Sequence, residues 1–459
     1  MAKTTIQYVC SSCGAKAPQM LGRCPVCGEW GTYEEEITSP RPSPQGRVSG
    51  FRNATGLPQR LQDVVATEEM RIDMHNGELN RVLGGGLVPG SLVLLGGEPG
   101  IGKSTLALQV LMQQGERKTF YASGEESVRQ LKLRAERLAG NAANLYISSE
   151  TSLERILDQV KELEPEVVVI DSIQTIGTEA VEATIGSLSQ VRECAARIME
   201  FAKTRNIPFI IIGHINKEGS LAGPKVLEHI VDTVLQFEGD QQYMYRILRA
   251  QKNRFGSTSE LGIYEMQQDG LREVSNPSEL LLSTAREGLS GIAIAAAVEG
   301  VRPFLIEVQA LVSSAAYGTP QRSSTGFDGR RLNMLLAVLE KRIGFKLLQK
   351  DVFLNIAGGL RVQDPAIDLA VLAAVLSSNM DVPLDAGTCL CGEVGLAGEI
   401  RPVNRIEQRI QEAQKLGFKR ILIPAEQVER LGKQTRGTDQ IEVVGVKRVT
   451  DAFRLLIKH

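Results

Sequence analysis

The stretch "GEPGIGKST", residues 97–105, constrains the fold of this chain more than any other part of the sequence. It matches G-x-x-x-x-G-K-[ST] and lies between an apolar run at 92–95 and a helical pattern that begins near Ser104. In such loops the backbone N–H groups and the lysine hold phosphates, and the hydroxyl binds Mg²⁺. The motif predicts a site for ATP and Mg²⁺ formed by Gly97, Glu98, Pro99, Gly100, Ile101, Gly102, Lys103, Ser104 and Thr105.

The sequence around this loop alternates between apolar runs and helical patterns. Strands are predicted at 92–95, 119–122, 167–170, 209–212 and 234–237, and helices at 104–114, 127–138, 153–163 and 188–204. This alternation favours an α/β fold with a mostly parallel sheet covered by helices on both faces. A second α/β region extends from about residue 283 to the end of the chain.

Polar residues follow three of the predicted strands, at the sheet edge where the phosphate loop also lies. Asp171 ends "EVVVID" and is placed to hold the water shell of Mg²⁺, with Ser172 beside it. Glu125, after "FYASG", is a candidate for orienting the attacking water, and His214, after "IIIG", for contacting the γ-phosphate. Each has a simpler alternative. Asp171, Glu125 and the adjacent Glu126 can each be a solvated residue at a helix start, and this alternative suits Glu126 best. His214 can be an ordinary strand-end histidine.

Four of the seven cysteines lie in the first thirty residues, in the stretch "CSSCGAKAPQMLGRCPVCGEW". Two matched C-x-x-C pairs predict a closed tetrahedral site that suits Zn²⁺, and the alternative is a redox dithiol. The predicted ligands are Cys10, Cys13, Cys24 and Cys27. The predicted divisions of the chain are a zinc-binding module at 1–33, a Pro- and Ser-rich linker at 34–58, a core at 59–275 and a last domain at 276–459.

The chain shows no sign of a membrane segment. No apolar run approaches the ~20 residues that span a bilayer, and the start "MAKTTIQYVC" lacks the apolar region of a secretory signal. These features predict a cytoplasmic protein that does not contact membranes. The net charge of −2 neither supports nor excludes nucleic-acid binding, so a site for nucleic acid has to be a local patch.

The segment "RAQKNRFGST", 249–258, is basic and follows an alternating run at 243–248 that predicts a strand. It brings Arg249, Lys252 and Arg254 close together with no acid among them. It is either a solvated turn or a group of cations that reaches a phosphate.

The four-cysteine module, "GEPGIGKST", "YASGEES", "VVIDSIQT" and "KNRFG" together resemble the bacterial RadA (Sms) family of DNA-repair ATPases. The resemblance covers essentially the whole chain. It implies a RecA-like P-loop ATPase core, a Lon-protease-like α/β domain at the C-terminus, and a homohexamer that drives branch migration on single-stranded and branched DNA with the RecA recombinase. It also implies that Lys252 completes the nucleotide site of a neighbouring subunit, and that Arg254 either does the same or couples that site to DNA. The loop after His214, with Lys217 and Lys225, would then contact DNA phosphates.

The last domain lacks the residues that a Lon-type protease needs. Where such a protease has its nucleophilic serine, "QDPAID" has Ala366, and where it has its lysine, this chain has Glu407. A Ser–Lys dyad requires both groups, so no peptidase activity is expected. The basic residues of this domain can either bind DNA or form a solvated surface; they include Arg322, Arg330, Arg331, Lys341, Lys346 and Lys350.

Two other functions remain open for this sequence. One is an ATP-dependent protease or unfoldase, against which the missing dyad argues. The other is a signalling or timing ATPase of the KaiC type, against which the cysteine module and "KNRFG" argue.

Overall fold

The computed structural model describes residues 5–10, 15–26, 28–38, 70–138, 140, 142–214, 225–239, 245–282, 288–315, 320–347, 349–359, 361–431 and 441–457. The chain divides into two compact units, Met1–Val274 and Ser275–His459. The division falls one residue before the predicted boundary at 275/276. None of the helices in these described ranges is long and apolar enough to cross a membrane.

The N-terminal module contains a three-stranded antiparallel sheet. Its strands are β1 (Thr5–Cys10), β2 (Lys16–Ala17) and β3 (Tyr33–Thr38), in the order β2-β1-β3. The prediction that a linker begins at residue 34 is therefore wrong. The run "YEEEIT" pairs along the whole of β1, from Cys10↔Tyr33 to Thr5↔Thr38, and this pairing outweighs its acidic composition. Residues 39–58 of the predicted linker lie outside the described residues.

The core unit is built on a nine-stranded sheet in the order β12-β11-β10-β9-β4-β8-β7-β5-β6. The strands are β4 (Leu92–Gly97), β5 (Thr119–Ser123), β6 (Leu145–Ser149), β7 (Val167–Asp171), β8 (Phe209–His214), β9 (Thr233–Glu238), β10 (Tyr245–Asn253), β11 (Leu261–Gln267) and β12 (Gly270–Glu273). The helices are α1 (Gly77–Leu83), α2 (Lys103–Met112), α3 (Val128–Ala135), α4 (Leu153–Leu163), α5 (Leu188–Arg205) and α6 (Lys225–Ile230). The five strands and four helices predicted for this region are confirmed.

Burial on both faces explains why these segments form this sheet. β4, β5 and β7 are buried at every position, as expected for strands covered on both sides. Helices α3, α4 and α5 each begin at a serine whose side chain accepts a backbone N–H bond: Ser127, Ser152 and Ser187. β4 through β9 are parallel, so the segments that follow β4, β5, β7 and β8 meet at one edge of the sheet.

The three antiparallel strands β10–β12 extend the sheet beyond β9. The strand predicted at 243–248 is confirmed from Tyr245 onward, and residues 243 and 244 lie outside the described residues. β10 continues to Asn253, so the basic segment begins inside a strand. The reason is that residues 249–253 pair with the first half of β9 across a bulge between Ala250 and Lys252.

The second unit is an α/β domain with a seven-stranded mixed sheet in the order β15-β16-β14-β13-β17-β20-β21. The strands of this sheet are β13 (Ile292–Glu299), β14 (Arg302–Ser314), β15 (Arg322–Thr325), β16 (Lys350–Ile356), β17 (Thr388–Leu390), β20 (Arg420–Pro424) and β21 (Glu442–Val446). Two further strands, β18 (Glu393–Val394) and β19 (Ile400–Arg401), pair with each other. The helices of this unit are α7 (Pro277–Leu281), α8 (Gly329–Val338), α9 (Asp368–Met380), α10 (Ile406–Lys415), α11 (Ala425–Leu431) and α12 (Val449–Leu456). Helix α9 is the central helix, buried from Asp368 to Ser377.

Candidate active site of the core

The phosphate loop closes around the amino group of Lys103, the first residue of α2. Its Nζ donates to the carbonyl oxygens of Gly97 at 2.7 Å and Glu98 at 2.9 Å, and lies 3.4 Å from Nδ1 of His214. Lys103 is only 4% exposed, and this burial lowers its pKa to about 8. The loop therefore holds a largely desolvated cation on backbone oxygens, which suits an ammonium group that binds phosphate.

Two glycines of the motif are required by the surrounding chain as well as by a phosphate. A Cβ on Gly97 would lie 2.6 Å from the carbonyl oxygen of Phe237 on the neighbouring strand β9. Gly102, which precedes α2, has φ +113, and a Cβ there would lie 2.8 Å from Cε of Met266. Gly97 is thus required by the close approach of β9, and Gly102 by its left-handed backbone conformation.

The carboxylates predicted from the strand ends lie at the same edge. Asp171 ends β7, is nearly fully buried, and accepts a hydrogen bond from the Tyr121 hydroxyl at 2.5 Å. Oε1 of Glu125 accepts from the Ser172 hydroxyl at 2.8 Å and lies 3.3 Å from Nε2 of His214. A continuous set of polar contacts thus runs from Ser172 through Glu125 and His214 to the phosphate loop.

Glu126 does not have the role of a solvated residue at the start of a helix. Ser127 is the N-cap of α3, and its hydroxyl and the Gln130 side chain form a reciprocal capping box. Glu126 instead pairs with Arg134 on the same helix at 2.5 Å. Of the two adjacent acids, only Glu125 contacts residues of the predicted nucleotide site.

Tyr121 is a site residue that the sequence did not indicate, and the role of Ser172 was not evident from it either. Tyr121 lies in the middle of a buried apolar strand, a pattern typical of a core residue, and only the structure shows its hydroxyl on Asp171. Burial, followed by the nearby Asp171 charge, raises the pKa of Tyr121 well above its usual value, so its hydroxyl remains a donor. Ser172 follows Asp171 directly, and this proximity was the one available signal.

Lys252 and Arg254 lie near the amino-terminal ends of the parallel strands, whereas the phosphate loop of the same subunit follows the carboxyl-terminal end of β4. Lys252 pairs with Val234 near the start of β9, which is level with the start of β4. Val234 is level with Leu94, three residue steps or roughly 10 Å from Gly97. Arg254 binds Asp232 beside Leu92, five steps or roughly 16 Å from Gly97. Neither side chain spans its distance to the loop, so neither can act on the nucleotide held by its own subunit.

Both cations also have partners within the subunit. The Nζ of Lys252 donates to the carbonyl oxygens of Glu228 at 2.6 Å and Val231 at 2.8 Å, at the end of α6. Burial lowers the pKa of Lys252. Arg254 pairs with Asp232 at 3.3 Å, but its side chain is 54% exposed. Of the two, Arg254 therefore points toward solvent and Lys252 is held by the fold.

The basic residues of the predicted DNA loop can be placed only in part. Lys217 lies outside the described residues, and Lys225 is the first residue of α6. The third cation of the basic segment, Arg249, is paired with Glu238 on β9 at 3.0 Å.

In the second unit, the position of the Lon-type nucleophile is filled by a methyl group. Ala366 lies in the 3₁₀ turn Pro365–Ile367 before α9 and is fully buried. Glu407 is exposed in the first turn of α10, whereas the buried cation near this turn is Arg409, two residues later. Arg409 donates to Oδ2 of Asp364 at 2.6 Å and to the Ala296 carbonyl oxygen at 2.6 Å.

A second ion pair closes the start of α9. Arg331 pairs with both carboxylate oxygens of the fully buried Asp368, which also accepts the backbone N–H of Val394 at 3.0 Å. The guanidinium of Arg331 is thus occupied by a buried ion pair within the domain. The amino group of Lys350 donates to the Asn379 side chain at 2.6 Å. The remaining basic residues named above are exposed: Arg322, Arg330, Lys341 and Lys346.

The N-terminal module repeats one turn at both cysteine pairs. The N–H of Cys10 donates to the Ala15 carbonyl oxygen at 2.9 Å, and that of Cys24 to the Glu29 carbonyl oxygen at 2.8 Å. Both cysteines are buried, and their predicted co-ligands Cys13 and Cys27 lie outside the described residues. Two equivalent turns that each begin at a cysteine fit a metal site with one C-x-x-C pair on each side.

Comparisons with known families match each part of the chain. Residues 8–35 match the rubredoxin metal binding domain, residues 58–220 match an AAA domain, and residues 327–427 match the subunit ChlI of Mg-chelatase. Among solved structures, a KaiC-like protein of the archaeon Pyrococcus horikoshii aligns over 45% of this chain and 99% of its own, with 20% identity and a TM-score of 0.38. The RadB recombinase aligns over 44% and 99%, with 21% identity and a TM-score of 0.36.

The sheet order, phosphate loop and carboxylates define a RecA-like P-loop ATPase, preceded by a zinc ribbon and followed by a Lon-protease-like domain. Curated relatives cover almost the whole length. The DNA repair protein RadA of Bacillus subtilis is 50% identical over 459 residues, 99% of each chain, and that of Listeria monocytogenes is 49% identical over 99% of this chain and 98% of its own. This chain belongs to the RadA family of DNA repair proteins. It is an ATP-binding hydrolase with a zinc ribbon.

Proposed function

We propose that this protein is an ATP-driven motor that promotes branch migration of recombination intermediates together with RecA. It binds single-stranded and branched DNA in the cytoplasm and works as a homohexameric ring. Membership of a DNA-repair family supports the pathway. The ATPase core supplies the energy source.

The placement of Arg254 carries the ring proposal. It is half exposed at the amino edge of the sheet, about one strand length from its own phosphate loop. A cation in that position can serve catalysis only at the nucleotide of a neighbouring subunit. Arginines supplied in this way raise phosphoryl-transfer rates by roughly 10³–10⁵. Because every subunit both offers an arginine and needs one, a closed ring satisfies all sites.

Within one site we assign four roles. Lys103 and the loop N–H groups bind the β- and γ-phosphates, and Glu125 orients the attacking water with help from Ser172. His214 lies between Lys103 and Glu125 and is placed to respond to loss of the γ-phosphate. Ser104 and Asp171 would hold Mg²⁺ and its water shell, because oxygen donors at this edge suit a hard cation that neutralises phosphate charge.

DNA contact is assigned to the segment between β8 and α6. β8 ends at His214, inside the nucleotide site, and α6 ends at the carbonyl groups that Lys252 binds. In the chain this segment follows the nucleotide site and precedes the helix whose end Lys252 binds. Lys217 and Lys225 in or beside it would add salt-dependent affinity for phosphates without reading sequence.

The test is the steady-state rate of ATP hydrolysis as single-stranded DNA is titrated at fixed salt. A saturable increase in kcat supports the motor, and the half-saturating DNA concentration should rise steeply with salt. A rate that DNA does not change, with no DNA binding by anisotropy, contradicts the proposal and favours the KaiC-type alternative. Cleavage of casein in the same samples would instead favour the protease alternative, which a buried Ala366 methyl group opposes.

A further inference from the structure

Asp232 is a buried carboxylate between α6 and β9 that the ATPase motifs do not include. Only 2% of its side chain is exposed. Its Oδ2 accepts the backbone N–H of Leu92 at 3.1 Å and lies 2.8 Å from Nζ of Lys203 on α5. Its Oδ1 lies 3.3 Å from a guanidinium nitrogen of Arg254. One side chain therefore joins the strand of the phosphate loop, a covering helix and the basic segment.

Asp232 holds Arg254 at two points. The backbone N–H of Arg254 donates to the main-chain carbonyl oxygen of Asp232 at 3.2 Å, and the side chains form the ion pair. A guanidinium has five N–H donors, and this pair uses one terminal nitrogen. With half of the side chain exposed, the guanidinium keeps donors directed away from Asp232 while one side of it is fixed.

The same residue is bound firmly to β4. The N–H of Asp232 donates to the Leu92 carbonyl oxygen at 3.0 Å, and the Leu92 N–H donates back to the Asp232 carboxylate. Because β4 leads at its other end into the phosphate loop, the position of Arg254 is connected through one strand to the nucleotide site of its own subunit.

We propose that Asp232 is a positioning residue for ATP hydrolysis: it presents Arg254, at the amino edge of the sheet, to the nucleotide of the neighbouring subunit. This inference rests on the proposed role of Arg254 at the subunit boundary. Lys203 is the second cation on Asp232, and its ammonium also lies 5.5 Å from the centre of the Phe255 ring. Its pairing with Oδ2 stabilises the buried carboxylate, whereas Arg254 pairs with Oδ1.

The experiment compares Asp232→Asn, Arg254→Ala, the double variant and Lys203→Gln in full-length protein. Asparagine keeps an oxygen for the Leu92 N–H and removes the charge that holds the guanidinium. We expect kcat to fall by about 10- to 100-fold in Asp232→Asn, because small displacements of a catalytic group are this costly. The KM for ATP and the affinity for a fluorescent ATP analogue should stay near wild type. Lys203→Gln, the matched control, leaves the pair between Asp232 and Arg254 in place; it should lower Tm but keep kcat near wild type.

The double variant separates positioning from general stability. If Asp232 acts through Arg254, the double variant is no slower than Arg254→Ala, because residues that act through one contact are not additive. Wild-type kcat in Asp232→Asn, additive losses in the double variant, or an equal loss in Lys203→Gln would each overturn the assignment of Asp232. Wild-type kcat in Arg254→Ala would overturn the subunit-boundary role as well.

If Asp232→Asn does not fold, Asp232→Glu, which has a longer side chain with the same charge, provides the test. Asp232→Glu keeps the charge for Lys203 and moves the carboxylate relative to Arg254. We expect nucleotide affinity near wild type and a kcat between those of wild type and Arg254→Ala. Wild-type kcat in Asp232→Glu, or a loss of kcat and nucleotide affinity together, would contradict a positioning role.

Discussion

The core and the Lon-like domain both place charged residues beside the end of a buried element, but they treat these charges differently. In the core, Lys103 is buried on carbonyl oxygens, and no acid of the described residues lies within salt-bridge distance of it. In the Lon-like domain, Arg409 is matched by Asp364 and Arg331 by Asp368. The phosphate loop thus keeps its cation available for an anion, whereas the two buried turns of the Lon-like domain have their cations neutralised by the fold.

The energetics of buried ion pairs explain why the arrangement in the Lon-like domain stabilises the fold. A buried ion pair gains little over apolar packing, but the loss of one partner leaves a charge that neither water nor protein stabilises. Asp364 also accepts the backbone N–H groups of Val298 and Ala366, so the pairs fix the turn that would have carried a nucleophile. In the Lon-like domain the turn at the expected nucleophile position is therefore held by buried ion pairs and backbone hydrogen bonds.

The largest expected effect is the loss of ATP hydrolysis when Lys103, the cation of the phosphate loop, is removed. Lys103→Ala removes the ammonium that binds the β- and γ-phosphates, and should lower kcat for ATP hydrolysis by at least about 100-fold. A coupled phosphate-release assay measures it. The control is Lys132→Ala, an exposed lysine of α3 that pairs with Glu136. Normal turnover in Lys103→Ala would mean that this loop is not the catalytic site.

Removal of Arg409, the paired cation of the Lon-like domain, should lower stability rather than activity. Arg409→Met leaves Asp364 without its buried cation, and we expect a loss of roughly 3–5 kcal/mol in the free energy of unfolding of this unit. Urea unfolding followed by circular dichroism measures it. Arg420→Met, which removes an exposed pair with Glu442, should cost about 0–1 kcal/mol. If Arg409→Met were as stable as Arg420→Met, the comparison between the two regions would fail.

A smaller effect on kcat is expected from loss of the hydrogen bond between Tyr121 and Asp171. Tyr121→Phe removes the hydroxyl that donates to Asp171 while keeping the aromatic ring in the buried strand. A hydrogen bond to a charged group contributes roughly 1.5–3 kcal/mol, so kcat should fall by about 10-fold or more. The Mg²⁺ concentration for half-maximal binding of a fluorescent ATP analogue should rise with it. An unchanged Mg²⁺ dependence would show that Tyr121 is only a core residue.

No gain of activity is expected from restoring the missing nucleophile. Ala366→Ser introduces a hydroxyl, but Glu407 is exposed and Arg409 is already paired, so no base lies ready to activate it. Casein or fluorogenic peptide assays should remain at background. Cleavage by the Ala366→Ser variant that the wild-type protein does not show would mean that the Lon-like domain is closer to an active protease than its ion pairs indicate.

The candidate site could be predicted from the sequence where its residues follow parallel strands. Glu125, Asp171 and His214 each end a buried apolar run, and parallel strands bring such ends to one edge. Tyr121 could not be predicted, because an aromatic residue within a buried strand has the pattern of a core residue. Asp232 could not be predicted either, since its partners Leu92, Lys203 and Arg254 are distant in sequence.

The start of the predicted linker and the basic segment differ from the sequence prediction for a common physical reason. The run that forms β3 was assigned to the linker, and the basic segment was predicted to be either a solvated turn or a group of cations that reaches a phosphate. In both cases backbone pairing with a neighbouring strand decided the structure. Local composition describes side-chain solvation well, but it does not reveal a pairing partner elsewhere in the chain.

The most direct test of catalysis across a subunit boundary is the hydrolysis rate of mixed variants. Lys103→Ala subunits lack the phosphate lysine and keep Arg254, whereas Arg254→Ala subunits have the reverse defect. In mixtures, interfaces that join an intact loop to an intact arginine should hydrolyse ATP, so the rate should exceed the weighted sum of the separate variants. A rate equal to that sum at every mixing ratio, with mixed assemblies demonstrated by mass, would contradict a shared site.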